Sequence, residues 1–305
     1  MHPAASIIFF TTLSGFGYGL AAALGLGFLD PAAVATKAAH IVALALISTG
    51  LLSSTLHLGN PQRAWRALSQ WRSSWLSREG VLAILAFLPL TASAWLSIVA
   101  DRMVPAIGLA GSVLCVATVY CTSMIYGSLK SIQAWHTPLT PLCYLLFSAA
   151  GGALLLAFAA WGGGLDVAPF VAAASLLILA AWAAKWVWWG RLRSMAPLST
   201  AETATGLGAI GKVRLFERPH MTENYLTNEM GYRIARKHAR KLSGIATFWG
   251  GLAAVAVLVL PYLVWPTAGL LPLLPALLLF GAGVAVERWL FFAEARHAVM
   301  NYYGG

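Results

Sequence analysis

Residues 80–100, GVLAILAFLPLTASAWLSIVA, run for 21 positions without a charged side chain, between Arg78-Glu79 on one side and Asp101-Arg102 on the other. A helix of that length, at about 1.5 Å per residue, matches the roughly 30 Å hydrocarbon thickness of a bilayer. A strand across a membrane would alternate apolar and polar residues, and this stretch does not. The run therefore reads as a transmembrane helix that satisfies its own backbone polar groups. Comparable runs occupy 5–29, 37–56, 104–126, 141–161, 168–189, 245–265 and 270–292. The predicted fold is all-α: a polytopic membrane protein built as a bundle of about eight transmembrane helices, with both termini cytoplasmic.

Composition agrees with that assignment. Of 305 residues, 59% are hydrophobic and 10% charged, more apolar surface than one soluble core would use. Little chain is left for a soluble catalytic domain. The net charge of +10 would point to nucleic acid in a soluble protein; here the basic residues lie between spans, where they set orientation, and no nucleic-acid partner is expected. Cys115, Cys121 and Cys143 sit in or beside apolar runs with no CxxC, so neither a zinc site nor an iron–sulfur cluster is expected of this chain alone. The start, MHPAASIIFF, lacks a basic segment and a small-residue cleavage site, and reads as a first span.

Lysine and arginine collect on the cytoplasmic side of short loops. The second connection carries Arg63, Arg66, Arg72 and Arg78, the fourth Lys130, the sixth and its flanking helix end eleven basic residues from Lys185 to Lys241, and the tail side Arg288 and Arg296. These make 18 of the 20 basic residues; only Lys37 and Arg102 fall opposite. Trp161, Trp186, Trp188, Trp189 and Trp265 near span ends have the placement of interfacial anchors.

The chain is one membrane domain with two connections too long for tight hairpins, 57–79 and 190–244. In the latter, Thr222 is a candidate N-cap, and Leu226, Met230, Ile234, His238 and Leu242 recur at steps of four among Arg233, Arg236, Lys237, Arg240 and Lys241. That pattern predicts a basic amphipathic helix over about 223–242, resting on anionic headgroups or docking a cytoplasmic partner.

Two motifs are set aside. GLGAIG (206–211) matches GxGxxG, but no strand precedes it and no βαβ unit surrounds it. A haem would need two facing histidines; His40 and His57 share one predicted helix about 25 Å apart, and His57 and His136 sit at a helix end and in a loop.

LHLGNPQRA (56–64) is more informative. His57 leaves the end of a span, Gly59 frees the backbone to turn, Pro61 stops the helix, and Arg63 returns a positive charge to the interface. LSRE (76–79) follows and places Glu79 at the start of the third span, at the same face and depth as His57. An imidazole and a partly desolvated carboxyl are the groups that proton-coupled quinone chemistry needs. The same residues also fit a plainer arrangement, an acid favoured by the helix dipole beside a capping histidine. Glu287, about six residues inside the last span, should be paired or protonated, whereas Arg288 can snorkel to the interface. Tyr126, Trp135 and His136 mark the fourth connection on the same face, either walling a headgroup pocket or anchoring in the interface.

At these residues the sequence resembles the membrane-anchor subunit of the dimethyl sulfoxide reductase family. The similarity rests on LHLGNPQRA and LSRE, with support from Tyr126, Trp135, Thr140-Pro141 and ERWLFF (287–292), and extends over nearly the whole chain in helix count and order. The resemblance implies a subunit that anchors a molybdopterin catalytic subunit and an iron–sulfur subunit. It would exchange electrons with ubiquinone or menaquinone and hold no haem or metal of its own. It makes His57 and Glu79 the catalytic candidates, with Gly59, Arg63, Tyr126 and Trp135 helping to hold the quinone. Sulfoxide-reducing members face their partners outward, while the charge bias here puts the His57 face in the cytoplasm. The long basic sixth connection is similar to the branch of cytoplasmic sulfite-oxidising complexes. The implied role is sulfite oxidation with quinone reduction in a bacterial inner membrane, partners on the cytoplasmic face; quinol oxidation for sulfoxide reduction is the alternative. A transporter would need broken helices and mid-membrane polar residues, which are sparse, and a non-catalytic scaffold would not bind quinone.

Overall fold

The computed structural model describes residues 3–55, 60–197, 199–217, 238–265 and 269–303. Among these residues there is no strand, and eight helices are long and apolar enough to cross a membrane. They are α1 (Ala5–Gly25), α2 (Val34–Thr55), α3 (Trp75–Ala100), α4 (Pro105–Gly127), α5 (Leu139–Gly162), α6 (Ala168–Ser194), α8 (Ala239–Val264) and α9 (Leu273–Ala293). Among the described residues, a short helix, α7 (Ala201–Thr205), and two 3-10 segments, Pro61–Gln70 and Ala298–Tyr303, lie outside the spans.

The all-α expectation holds, and most span limits agree to within a few residues. Three helices extend beyond their apolar runs. Helix α3 begins at Trp75, not residue 80, because Ser74 caps it, its side chain accepting from the Ser77 N–H at 3.4 Å. Helix α6 runs on to Ser194, with Arg191 and Arg193 in its last turn, where cations suit the negative helix end and the interface. Helix α8 starts at Ala239, so 239–242 of the expected amphipathic helix belong to the seventh span; residues 218–237 lie outside the described set.

Helix α1 is the hub, packed against α2, α4, α5 and α9. Small residues bring the backbones together, as lipid-embedded helices require when no water drives them to associate. At the α1/α2 crossing a Cβ on Gly17 would lie 2.8 Å from the Ile47 backbone nitrogen, and one on Gly50 would lie 2.7 Å from that of Ser14. Hydroxyls fasten the same contacts: Ser148 donates to the Gly15 carbonyl at 2.6 Å (α5 to α1) and Ser112 to the Ala22 carbonyl at 2.7 Å (α4 to α1).

Helix α8 carries a π-helical turn, Phe248–Ala253, facing α9 and α6. Such turns leave carbonyls displaced from the regular ladder; the Gly250 carbonyl accepts from the Trp182 indole N–H at 2.9 Å. Trp182, Lys185, Trp188 and Trp189 share the buried face of α6. This corrects the expectation for two of the five interfacial tryptophans: Trp188 and Trp189 are inside, because the helical period turns them toward the bundle, while Trp161, Trp186 and Trp265 are exposed.

Connections alternate between two faces. On one, Lys37 pairs with Asp101 and Ser97 donates to the Pro31 carbonyl at 2.7 Å, tying the first connection to the end of α3. On the other, the Ala298 N–H donates to the Ser131 carbonyl at 3.0 Å, Gln133 to the Ala196 carbonyl at 2.9 Å, and Asn301 to the Ser199 hydroxyl at 2.8 Å. The fourth connection, the sixth connection and the chain's last segment therefore meet on one face.

Candidate functional site

The segment Pro61–Gln70 lies over the beginning of α3. Ser77 donates its hydroxyl to the Ala67 carbonyl, and Leu68 packs so closely on Gly80 that a Cβ there would meet it at 2.7 Å. Trp65 and Trp71 are exposed with Arg66 and Arg72 over their rings, a basic-aromatic surface suited to the membrane interface. Arg63 is on the exposed side of this segment. His57 and Gly59 lie outside the described residues.

Glu79, 5% exposed, lies in the second turn of α3 and so deeper than the helix start expected for it. The Thr122 hydroxyl on α4 donates to its Oε1 at 2.6 Å. Thr122 has a second acceptor in reach, the Thr118 carbonyl at 3.1 Å, but only one proton. With Glu79 ionised, that proton goes to the carboxylate. With Glu79 protonated, the acid can donate to Thr122, which turns its own proton to Thr118. The pair serves both protonation states with little movement of heavy atoms.

Thr122 also lines a cavity of about 10 Å³ bounded by polar groups from other spans: Tyr18 of α1, Tyr144 and Ser148 of α5, and Arg288 of α9. Among the described residues, the Tyr18 hydroxyl is buried without a hydrogen-bond partner.

Glu287 and Arg288 are both buried, at 0% and 2% exposure. For Glu287 the expected partner exists: Lys185 Nζ of α6 lies 2.6 Å from Oε1, with Arg288 Nε 3.4 Å from Oε2. Arg288 does not snorkel; its guanidinium lies 3.7 Å from the centre of the Tyr144 ring, which offsets part of its desolvation. Lys185, counted from the sequence among the basic residues of a cytoplasmic connection and its helix end, is 1% exposed and sits 3.6 Å from the Trp188 ring centre. The signal that could have found it is its setting: a lone lysine in AAWAAKWVWW, in helical register with Ile178, Ala181 and Trp182.

Tyr126 and Trp135 are brought together, ring centres 5.2 Å apart, in a cluster with Tyr144, Phe291 and Phe292. Trp135 is buried and donates its indole N–H to the Phe291 carbonyl at 2.8 Å, clamping the fourth connection to the end of α9. It packs into the core and does not face lipid. His136 Nδ1 is 2.8 Å from the Gly127 carbonyl, closing the same turn. A cleft of about 570 Å³ opens on this face, with Lys130, Glu294, Arg296 and His297 in its walls. Burial raises the Glu294 carboxyl above the ordinary carboxylate range, against the opposing hydrogen bond from the Trp189 indole at 2.8 Å. Among the described residues, no three metal-ligating side chains converge.

Comparison with known proteins adds the following. The family model "DMSO reductase anchor subunit (DmsC)" matches residues 1–293. The C subunit of the sulfite dehydrogenase of Allochromatium vinosum is 32% identical, the match covering 99% of this sequence and 99% of its own. The C polypeptide of the anaerobic dimethyl sulfoxide reductase of Escherichia coli is 30% identical over 36% of this sequence and 39% of its own, and its counterpart in Haemophilus influenzae is 30% identical over 37% and 42%. No solved structure matches.

Proposed function

This chain belongs to the DMSO reductase anchor subunit (DmsC) family, and on that premise we propose that it is the quinone-reactive membrane subunit of a molybdopterin and iron–sulfur oxidoreductase. Glu79 is the group that handles the quinone's protons. The observation that carries this reading is the buried Glu79–Thr122 pair, which is able to hold or release a proton in place. Reduction of a quinone takes two electrons and two protons, and a carboxyl hydrogen-bonded inside an apolar bundle is suited to the proton half of that account. The cavity beside Thr122 has room for a water and not for a quinone ring. A quinone ring needs a site other than this cavity; in this reading His57 hydrogen-bonds one quinone oxygen, with Gly59 and Arg63 contributing to the site. Tyr126 and Trp135 act by holding the surrounding helices, as their packing suggests.

Sulfite oxidation feeding electrons into quinone is the favoured overall reaction, supported by the full-length similarity to a sulfite dehydrogenase subunit. The shorter matches to sulfoxide reductase polypeptides keep the reverse flow, quinol to sulfoxide, as the second reading. We place the partners on the face of the second, fourth and sixth connections, in the cytoplasm of a bacterial inner membrane, where 16 of 20 basic residues fall by sequence once Lys185 and Arg288, buried in the bundle, are set aside.

The test is purification of the intact complex with sulfite:quinone and sulfite:dye activities measured side by side. Glu79→Gln and His57→Ala are expected to abolish the first and spare the second. Equal loss of both would mean an assembly role, and sulfoxide turnover without sulfite turnover would reverse the direction.

A further inference from the structure

The segment Pro61–Gln70 is a 3-10 helix of ten residues, opened by Pro61 and continued in its backbone angles by Trp71, at φ −59° and ψ −23°. Three residues complete a turn of such a helix, and side chains at i and i+3 eclipse. The sequence is thereby sorted into rows along the axis. Trp65, Leu68 and Trp71 form one row, Arg63, Arg66, Ser69 and Arg72 the next, and Ala64 and Ala67 the third. Two contacts fasten the segment to α3, the Ser77 hydroxyl donating to the Ala67 carbonyl and Leu68 packing on Gly80. Arg78, in α3, is engaged internally, donating to the Trp71 and Arg72 carbonyls at 3.0 and 2.7 Å. The side chains left facing outward are Trp65, 66% exposed, Trp71, 53% exposed, and the exposed Arg63, Arg66 and Arg72.

Residues 60–78 hold four arginines and no Asp or Glu. Among the described residues the ion pairs are those of Lys37 with Asp101 and of Lys185 and Arg288 with Glu287, so no carboxylate there answers the outward row. Arg63 and Arg66, one turn or about 6 Å apart along the axis, lie within the roughly 8 Å screening length of physiological salt and repel each other. Stacking on Trp65 and Trp71 orients Arg66 and Arg72 but supplies no counter-ion. An external anion relieves that repulsion, and the depth of the row says which. Helix α3 begins at Trp75 and its uncharged run follows from residue 80, so the segment stands where the hydrocarbon ends and the headgroups begin. Exposed indoles beside cations are the composition that settles at that level. We propose that residues 61–72 form a binding site for anionic phospholipid headgroups. Arg63, Arg66 and Arg72 hold the phosphates, whose oxygens match the guanidinium fork, and Trp65 and Trp71 enter the boundary between headgroup and acyl chain beside them. The site is separate from the quinone chemistry, and its test reads lipid alone.

The experiment places a fluorophore in the arginine row. Ser69 is exposed and the three native cysteines are buried, so Ser69→Cys in the purified full-length chain is open to labelling with bimane. The labelled chain is reconstituted in bilayer discs of phosphatidylcholine and phosphatidylglycerol, with one or the other lipid brominated at the same mole fraction. Brominated phosphatidylglycerol should quench the label more strongly than brominated phosphatidylcholine. Replacing single arginines, Arg63→Gln, Arg66→Gln or Arg72→Gln, should lower that preference roughly fivefold each, the worth of one charge near an anionic surface, and the triple variant should abolish it. The corresponding lysine variants keep the charge and should keep most of the preference. Equal quenching by the two lipids overturns the inference, and that comparison needs no arginine variant to fold. A preference that survives the triple substitution overturns it as well. The same measurement on the complex assembled from labelled chain should give the same preference; a label shielded there from both lipids assigns the surface to a protein partner and overturns the lipid site.

Discussion

Lys185 Nζ and Glu287 Oε1 are 2.6 Å apart at a place where neither side chain is more than 1% exposed. The pair joins α6 to α9 inside the bundle, with Arg288 as a third, weaker member on the other oxygen. This arrangement makes the effects of substitution unequal. Glu287→Gln leaves two buried cations facing each other and should cost about 3–5 kcal/mol, the penalty of stranding a buried charge. Lys185→Met leaves Glu287 with Arg288, a neutral pair, and should cost less. Thermal unfolding of the detergent-solubilised complex reads the difference, and equal losses would mean that Arg288 does not take over.

Thr122→Val removes the hydroxyl that donates to Glu79 while keeping the shape of the side chain. A hydrogen bond to a charged group contributes about 1.5–3 kcal/mol, so quinone-linked turnover should fall roughly tenfold or more. Dye-linked turnover, which bypasses the membrane site, should stay at the wild-type rate.

The glycines at the α1/α2 crossing provide a stability test with an internal control. Gly17→Ala and Gly50→Ala each push a methyl group against facing backbone and should cost about 1–3 kcal/mol, as overpacking does. Gly190→Ala, in the last turns of α6 with nothing within 4 Å of the new carbon, should be neutral or slightly stabilising. The melting temperatures of the three variants should fall into those two groups.

Glu294, just beyond the end of α9, gives a pH dependence of known sign. Burial holds its carboxyl above the ordinary value of 4.5, so the folded protein binds this proton more tightly than the unfolded chain. Its contribution to stability is greatest below pH 4.5 and is lost as pH rises from there through the raised value. Glu294→Gln keeps an acceptor for the Trp189 indole and should flatten the decline in melting temperature above pH 4.5. An unchanged slope would show that Glu294 is solvated.

Orientation is open to chemical labelling, because Cys115, Cys121 and Cys143 are all buried. A membrane-impermeant maleimide added outside intact cells should modify a cysteine placed at Arg102 and leave one placed at Lys130 untouched. The opposite pattern would invert the proposed topology.

The spans were readable because each is an apolar run long enough to fill a bilayer, a property of composition that needs no tertiary information. Their ends were less so: Trp75 to Glu79 is polar enough to pass for a loop, and Ser74 reveals its cap only once the backbone is known. Glu287 announced the need for a partner by its depth, and the partner is there. Lys185 was hidden by the rule that located the other basic residues, since a charge count treats every lysine near a span end as a cytoplasmic one. Thr122, Tyr18 and Tyr144 carry no sequence signal at all. Each is an ordinary residue of an apolar helix, and their common cavity exists only because α1, α4, α5 and α9 converge.

The central position of α1 has a consequence for biogenesis. This helix leaves the ribosome before α2, α4, α5 and α9, the four helices that will surround it, so it must reside in lipid for a time without them. Its polar face is equipped for the wait: the Thr11 and Ser14 hydroxyls donate back to the Ile7 and Phe10 carbonyls of the preceding turn, at 2.9 and 2.6 Å. The newborn helix thus meets the translocon with those two hydroxyls already satisfied, and its glycines offer a ready-made seat to each later arrival.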